Sequence, residues 1–171
     1  MFSEWLKSDS MGDYNSLGNG AGMRVSPCGF AATSPSEALL LSGYVTKVTH
    51  SHPEGLKGAE AITKAIFDAR LGLSKEKIRK NCEHYYNLDF TLDEIRDDYK
   101  FDVTCQGSVP QAIKAFLESD SFEDAIRNAI SIGVISPKDL HSLFISMICS
   151  GVMFSISKLL KILRYKKKQT N

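Results

Sequence analysis

The sequence predicts an all-α protein, a helical bundle with short connections, and three observations carry that reading. Helix-start signatures recur along the chain. Ser34-Pro35-Ser36-Glu37, Thr91-Leu92-Asp93-Glu94, Ser108-Val109-Pro110-Gln111 and Ser121-Phe122-Glu123-Asp124 each place a hydroxyl where a cap belongs. Apolar residues then return at helical spacing, as Ala59, Ile62, Ala65, Ile66 and Ala69 do. Alternating apolar and polar runs, the mark of strands, hardly occur.

Taken in order, Phe2, Trp5 and Leu6 line one face of a short helix that ends before Gly12. A glycine-rich stretch follows, after which Met23, Arg24 and Val25 resume an apolar segment that Ser26-Pro27 interrupts. Ser34 caps the next helix, Pro35 suits its first turn, and Glu37 can reach back to the cap amide. Ala38 to Leu41 carry that helix toward Val48. Another begins near Pro53 and is stopped by Gly72. Ser74 caps a helix with Ile78 and Cys82 inward, finishing near Tyr85 and Tyr86. Thr91 to Glu94 form a capping box, with Phe90 and Ile95 as its hydrophobic staple. Ser108 caps the helix carrying Ala112, Ile113, Phe116 and Leu117; Ser121 caps one carrying Ala125, Ile126, Ala129 and Ile130. Each of these hydroxyls has a structural task, so none is read as a nucleophile.

A chain of 171 residues suggests one domain with a real core. With 43% hydrophobic and 24% charged residues and a net charge of +1, nothing global points to nucleic acid. Cys28, Cys82, Cys105 and Cys149 are far apart, without a Cys-x-x-Cys pair or a histidine at zinc spacing. Residues 1–7 have neither a basic n-region nor an apolar h-region, so reduced thiols and a cytoplasmic location are expected.

Two stretches are candidates for chemistry. Gly18, Gly20 and Gly22 clear one side of the backbone, and glycine reaches φ > 0, so successive amides can converge on an anion. Asn19 also tolerates the left-handed region. The alternative is a tight loop feeding a helix. No Gly-Lys-Ser/Thr follows, which excludes the Walker spacing. The second stretch is His50-Ser51-His52-Pro53, whose histidines can flank a turn; exposed or core-satisfied imidazoles are the competing reading.

Gly18-Asn19-Gly20-Ala21-Gly22-Met23-Arg24-Val25-Ser26-Pro27 resembles the GNGxxMR-x-x-P loop of the ADP-ribosylglycohydrolase family. Two further blocks agree in order. One is Thr49-His50-Ser51-His52-Pro53-Glu54-Gly55, and the other runs from Gly107-Ser108-Val109-Pro110 to Ile132-Gly133. The resemblance spans residues 1–133 and leaves 134–171 as a divergent C-terminal helix with a basic tail. It implies that family's helical bundle, incomplete here, and an activity that hydrolyses the bond between ADP-ribose and a modified protein or small acceptor. ADP-ribose or an ADP-ribosylated protein is the implied partner. Ser16, Gly18, Asn19, Gly20, Met23, Arg24 and His50 are then the ligand-holding residues, with His52 left as a helix-start residue. Arg24 is either a bidentate phosphate partner or one half of an internal salt bridge. Met23 is either a pocket wall or a core methionine.

Members of that family hold a pair of Mg²⁺ ions with two acidic motifs. One is a Thr-Asp-Asp-Thr segment upstream of the glycine loop, and the other is a Gly-Gly-Asp-x-Asp-Thr segment directly after the helix end matched by Ala129 to Gly133. The chain begins after the position of the first. At the second, Gly133 is followed by Val134-Ile135-Ser136-Pro137-Lys138-Asp139. Asp93-Glu94 and Asp97-Asp98 read as a solvated helix face. Mg²⁺ needs hard oxygen ligands, so no catalytic residue or metal ligand is assigned. The expectation is a family member that does not bind Mg²⁺ and has lost hydrolysis. The alternative is a truncated relative that at most binds ADP-ribose or a related nucleotide. A single-nucleotide shift within codons for Gly-Gly-Asp gives Gly-Val-Ile, so frameshift and divergence are both open for the tail. Leu140 to Ser157 carry no Lys, Arg, Asp or Glu and precede a basic run; a core helix is expected, with a membrane anchor over 140–163 as the alternative.

Overall fold

The computed structural model describes residues 2–9 and 12–133, and among these the chain is all-α, with no strand. The expectations for residues 134–171, including the anchor over 140–163 and Cys149, lie outside the described residues. The helices are α1 (Phe2–Leu6), α2 (Gly20–Met23), α3 (Ser26–Ala31), α4 (Pro35–Lys47), α5 (Pro53–Arg70), α6 (Lys75–Cys82), α7 (Leu92–Ile95), α8 (Cys105–Leu117) and α9 (Phe122–Ser131). None of them is long and apolar enough to cross a membrane.

Helix α5 is the hub, with α2, α3, α4, α6 and α8 packed on it. Its sequence explains this. Gly55, Gly58, Ala59, Ala61, Ala65 and Ala69 keep its surface low, while Ile62, Ile66 and Phe67 fill the spaces between its neighbours. Burial therefore runs around the helix instead of along one stripe. At Gly58 an added Cβ would stand 2.6 Å from Cys105 Sγ, so a side chain there would push α8 away. The helix ends in a Schellman motif. Gly72 takes φ 76°, its N–H donates to Ala69 O at 2.9 Å, and Leu73 N–H donates to Asp68 O at 3.1 Å. The Asp68 carboxylate is buried but held by Lys64 Nζ at 2.5 Å and Asn81 Nδ2 at 2.7 Å, which ties α6 to the hub.

Ser34, Ser74, Thr91 and Ser121 cap α4, α6, α7 and α9 as the sequence predicts. The Thr91–Glu94 box is closed in both directions, at 3.3 and 2.7 Å. Four details differ. Glu37 accepts from Thr33 N at 2.6 Å and not from the cap amide. Helix α6 stops at Cys82, and the amides of Tyr85 and Tyr86 turn back onto the Cys82 carbonyl. Ser26-Pro27 starts α3 instead of interrupting a segment, because proline lacks only an amide that a first turn leaves unpaired. Helix α8 begins three residues before Ser108: Thr104 is its cap, accepting from Gly107 N at 3.1 Å, and Pro110 lies inside the helix.

Candidate functional site

The three sequence blocks converge at one end of the bundle, where the glycine loop meets the starts of α5 and α8. Two isolated backbone bridges lock them together, Asn15 with His50 and Gly18 with Thr104. Around these, Asn19 N–H donates to Val103 O at 2.7 Å, Cys105 N–H to Leu17 O at 3.0 Å, and Ser16 N–H to Thr49 O at 3.3 Å. Ser16 Oγ accepts from Gly18 N at 3.1 Å, turning the loop back on itself.

The glycines serve a purpose other than the expected one. Gly72 and Gly133 are the described residues with positive φ, so neither the loop glycines nor Asn19, at φ −66°, use the left-handed region. What they supply is close approach. A Cβ on Gly20 would stand 3.2 Å from His50 Nε2, and one on Gly18 would stand 3.7 Å from the same atom and 3.1 Å from Ser16 Oγ. Gly20 thus packs closely on the Nε2 side of the imidazole, and Gly18 on Ser16. Gly55, in the first turn of α5, lets the same loop sit down, since a Cβ there would stand 2.7 Å from Ser16 O.

His50 is 9% exposed and bonded through Nδ1 to Thr49 Oγ1 at 2.8 Å. Burial, followed by the nearby Arg24 charge, pushes its pKa down to about 4, so the ring is neutral at physiological pH. Arg24 makes no ion pair among the described residues, and the internal salt bridge is replaced by two neutral contacts. Its Nε donates to Gly20 O at 3.1 Å and its Nη1 to Thr49 Oγ1 at 2.6 Å, clamping the glycine loop to the histidine loop. Burial lowers its pKa as well. Met23 is half-buried against the main core cluster. His52 caps α5, its Nδ1 accepting from Glu54 N at 3.1 Å.

Asn19 Nδ2 donates to Asp102 O at 3.3 Å and Ser108 Oγ at 3.2 Å, and Ser108 Oγ passes its own proton to Thr104 O at 2.6 Å. Both amide protons of Asn19 are therefore spent, leaving Oδ1, an acceptor, as its available group. Asp102, Thr104, Cys105 and Ser108 were not among the predicted site residues. Cys105 Sγ–H donates to Gly18 O at 3.3 Å, and burial pushes its pKa up to about 12, so it acts as a thiol donor and not as a thiolate. Local signals for this segment do exist in the Asp102 turn, with Thr104 N–H on Asp102 Oδ1 at 2.7 Å, and in Thr104-x-x-Gly107.

This donor set does not fit a magnesium pair. Around the loop stand amides, hydroxyls, an imidazole, a guanidinium and a thiol, with the Asp102 carboxylate turned onto Thr104 N–H; no cluster of three or more His, Cys, Asp or Glu suited to a metal exists among the described residues. Asp93, Glu94, Asp97 and Asp98 are all exposed. Mg²⁺ is held by carboxylates, and the groups that meet here favour anions.

The model of the ADP-ribosylglycohydrolase family matches residues 1–134. A solved structure described as an ADP-ribosylglycohydrolase-related protein complex aligns with a TM-score of 0.65 and 21% identity, covering 88% of this chain and 56% of its own. At that identity the likeness concerns the fold, and the chain spans little more than half of that relative's length. No curated protein matches the sequence. With its three blocks gathered at one loop cluster and the family match running through all of them, the chain belongs to the ADP-ribosylglycohydrolase family.

Proposed function

We propose that the loop cluster of Ser16, Gly18, Asn19, Gly20, Met23, Arg24 and His50 binds ADP-ribose, free or on a modified protein, and that this chain does so without magnesium-dependent hydrolysis. The observation that carries the reading is the close packing of Gly20 on Nε2 of the neutral His50 ring, with Gly18 next to it and Arg24 bonded to the same loop. Such a surface suits a diphosphate: it offers donors and positive charge at short range and no β-carbon in the way. The acceptor Oδ1 of Asn19 complements it, since a ribose supplies hydroxyl donors. Hydrolysis in the family depends on metal to polarise the ribose and position water, and the donors gathered here are of the wrong kind. His50, the remaining acid–base group, is held neutral, and acid–base help alone gives ~10²–10⁴-fold.

The test is isothermal titration of the chain with ADP-ribose, alongside Gly20→Val and His50→Ala. The expected result is binding by the native chain and a loss of about 10-fold or more in each variant, since Gly20→Val drives a side chain against the ring. Absence of binding in the native chain, or unchanged affinity in both variants, would overturn the reading.

A further inference from the structure

We infer that Thr49 is a positioning residue: it relays a hydrogen bond from Arg24 to His50 and so holds the imidazole as the Nε2–H tautomer, with a donor facing the glycine loop. The inference starts from which atoms can only give. A guanidinium has five N–H donors and no acceptor, so in the 2.6 Å contact Arg24 Nη1 donates and Thr49 Oγ1 accepts. Thr49 is 8% exposed, and its other side-chain partner is His50 Nδ1 at 2.8 Å. The hydroxyl proton therefore goes to Nδ1, which must be a lone pair. A neutral ring then carries its one proton on Nε2. The reverse assignment, Nδ1–H donating to Thr49, leaves the hydroxyl proton without an acceptor among the described residues and is disfavoured at a buried site.

The consequence lies on the far side of the ring. Nε2 stands 3.2 Å from where a Cβ of Gly20 would be and 3.7 Å from that of Gly18. With the proton there, the cluster offers a neutral donor to an oxyanion; with it on Nδ1, the same surface would repel one. Arg24 thus acts on an anion through Thr49 and the ring as well as by its charge. Burial of the ring keeps it neutral, which the relay requires. The ligand half of this inference rests on the ADP-ribose reading above; the relay itself does not.

Long-range ¹H–¹⁵N correlation spectroscopy of the ¹⁵N-labelled full chain at pH 7 tests it, with His50→Gln identifying the His50 signals. The native ring is expected to be neutral and protonated at Nε2. Thr49→Val should move it toward a tautomer average and weaken ADP-ribose binding about 10-fold, while Thr49→Ser, which keeps the hydroxyl, should restore both. A native ring protonated at Nδ1, or charged at pH 7, overturns the relay whether or not any variant folds. An unchanged tautomer in Thr49→Val removes the role of Thr49. If the native tautomer is as inferred but ADP-ribose leaves the ring signals unmoved, the ligand reading fails and the relay stands.

Discussion

The loop cluster at the head of α5 and the acidic surface around α7 are built by opposite rules. Asp93, Glu94, Asp97 and Asp98 are exposed, and their described bonds stay close in sequence: Asp93 pairs with Arg96 at 2.7 Å and Glu94 closes its own cap. In the cluster, bonds cross long distances in sequence, as Asn19 to Ser108, Arg24 to Thr49 and Cys105 to Gly18 do, and the partners are partly or fully buried. Short-range charge on a solvated surface contributes little and is easily rearranged. Long-range donors tied together in a half-buried loop are held in position. The negative charge around α7 is spent on that helix's own ends, while the loop cluster gathers donors suited to an anion.

The largest expected effect comes from removing what the cluster stands on. Ile62 lies fully buried on α5, 3.3 Å from where a Cβ of Gly22 would be. Ile62→Ala should cost about 2–5 kcal/mol, read as a lower urea midpoint, and ADP-ribose binding should fall with it. An equal loss from a triple Asp93→Asn, Asp97→Asn, Asp98→Asn variant would erase the contrast between the two regions.

The helix ends were legible because capping is local. Ser34, Ser74, Thr91 and Ser121 each act on an amide three residues away, and that spacing is printed in the sequence. The start of α8 was misread because Ser108-Val109-Pro110-Gln111 imitates a cap, while the true cap, Thr104, is specified by Gly107 and the Asp102 turn. Ser108 is instead an acceptor for a residue 89 positions earlier, which no local pattern can express. The glycine stretch stood out in the sequence, but its backbone does not use the left-handed region. Their spacing suggested unusual φ, whereas what crowds them is Ser16 at Gly18, His50 at Gly20 and Ile62 at Gly22, the last two from other parts of the chain. The blocks themselves were readable by resemblance, and their convergence needed the fold.

A smaller effect sharpens the electrostatic side of the comparison. His50 titrates at about 4 when folded against an ordinary value of about 6.5, so between these values the unfolded chain binds more protons. The contribution of the neutral ring is complete above about pH 6.5 and is lost as pH falls through about 4. At about 1.36 kcal/mol per unit the loss is bounded near ~3 kcal/mol, and the ring's partial access to solvent reduces it. Urea unfolding followed across this window should show the loss in the native chain and a flatter profile in His50→Gln. A shared profile would mean that other groups set the acid sensitivity.

Next in size is Asn19→Ala, which removes two hydrogen bonds and should cost about 1–3 kcal/mol. Ser108→Ala removes one of them together with its own bond to Thr104 O and should cost about 1–3 kcal/mol as well, while Asn19→Ala, which also loses the free Oδ1, should lower ADP-ribose affinity more. The smallest effect is expected from the acidic variant itself. Losing the charges of Asp93, Asp97 and Asp98 should change stability by no more than about 1 kcal/mol and leave ADP-ribose affinity unchanged.

The most direct measurement of the central claim is titration of the native chain with ADP-ribose in excess Mg²⁺ and again in a chelator, with release of ADP-ribose from a modified protein followed under both conditions. A cluster preorganised for an anion should bind equally in the two buffers, with no magnesium-dependent release. Binding strengthened by Mg²⁺ together with turnover would contradict the account, because it would require a cluster of carboxylates that is absent among the described residues.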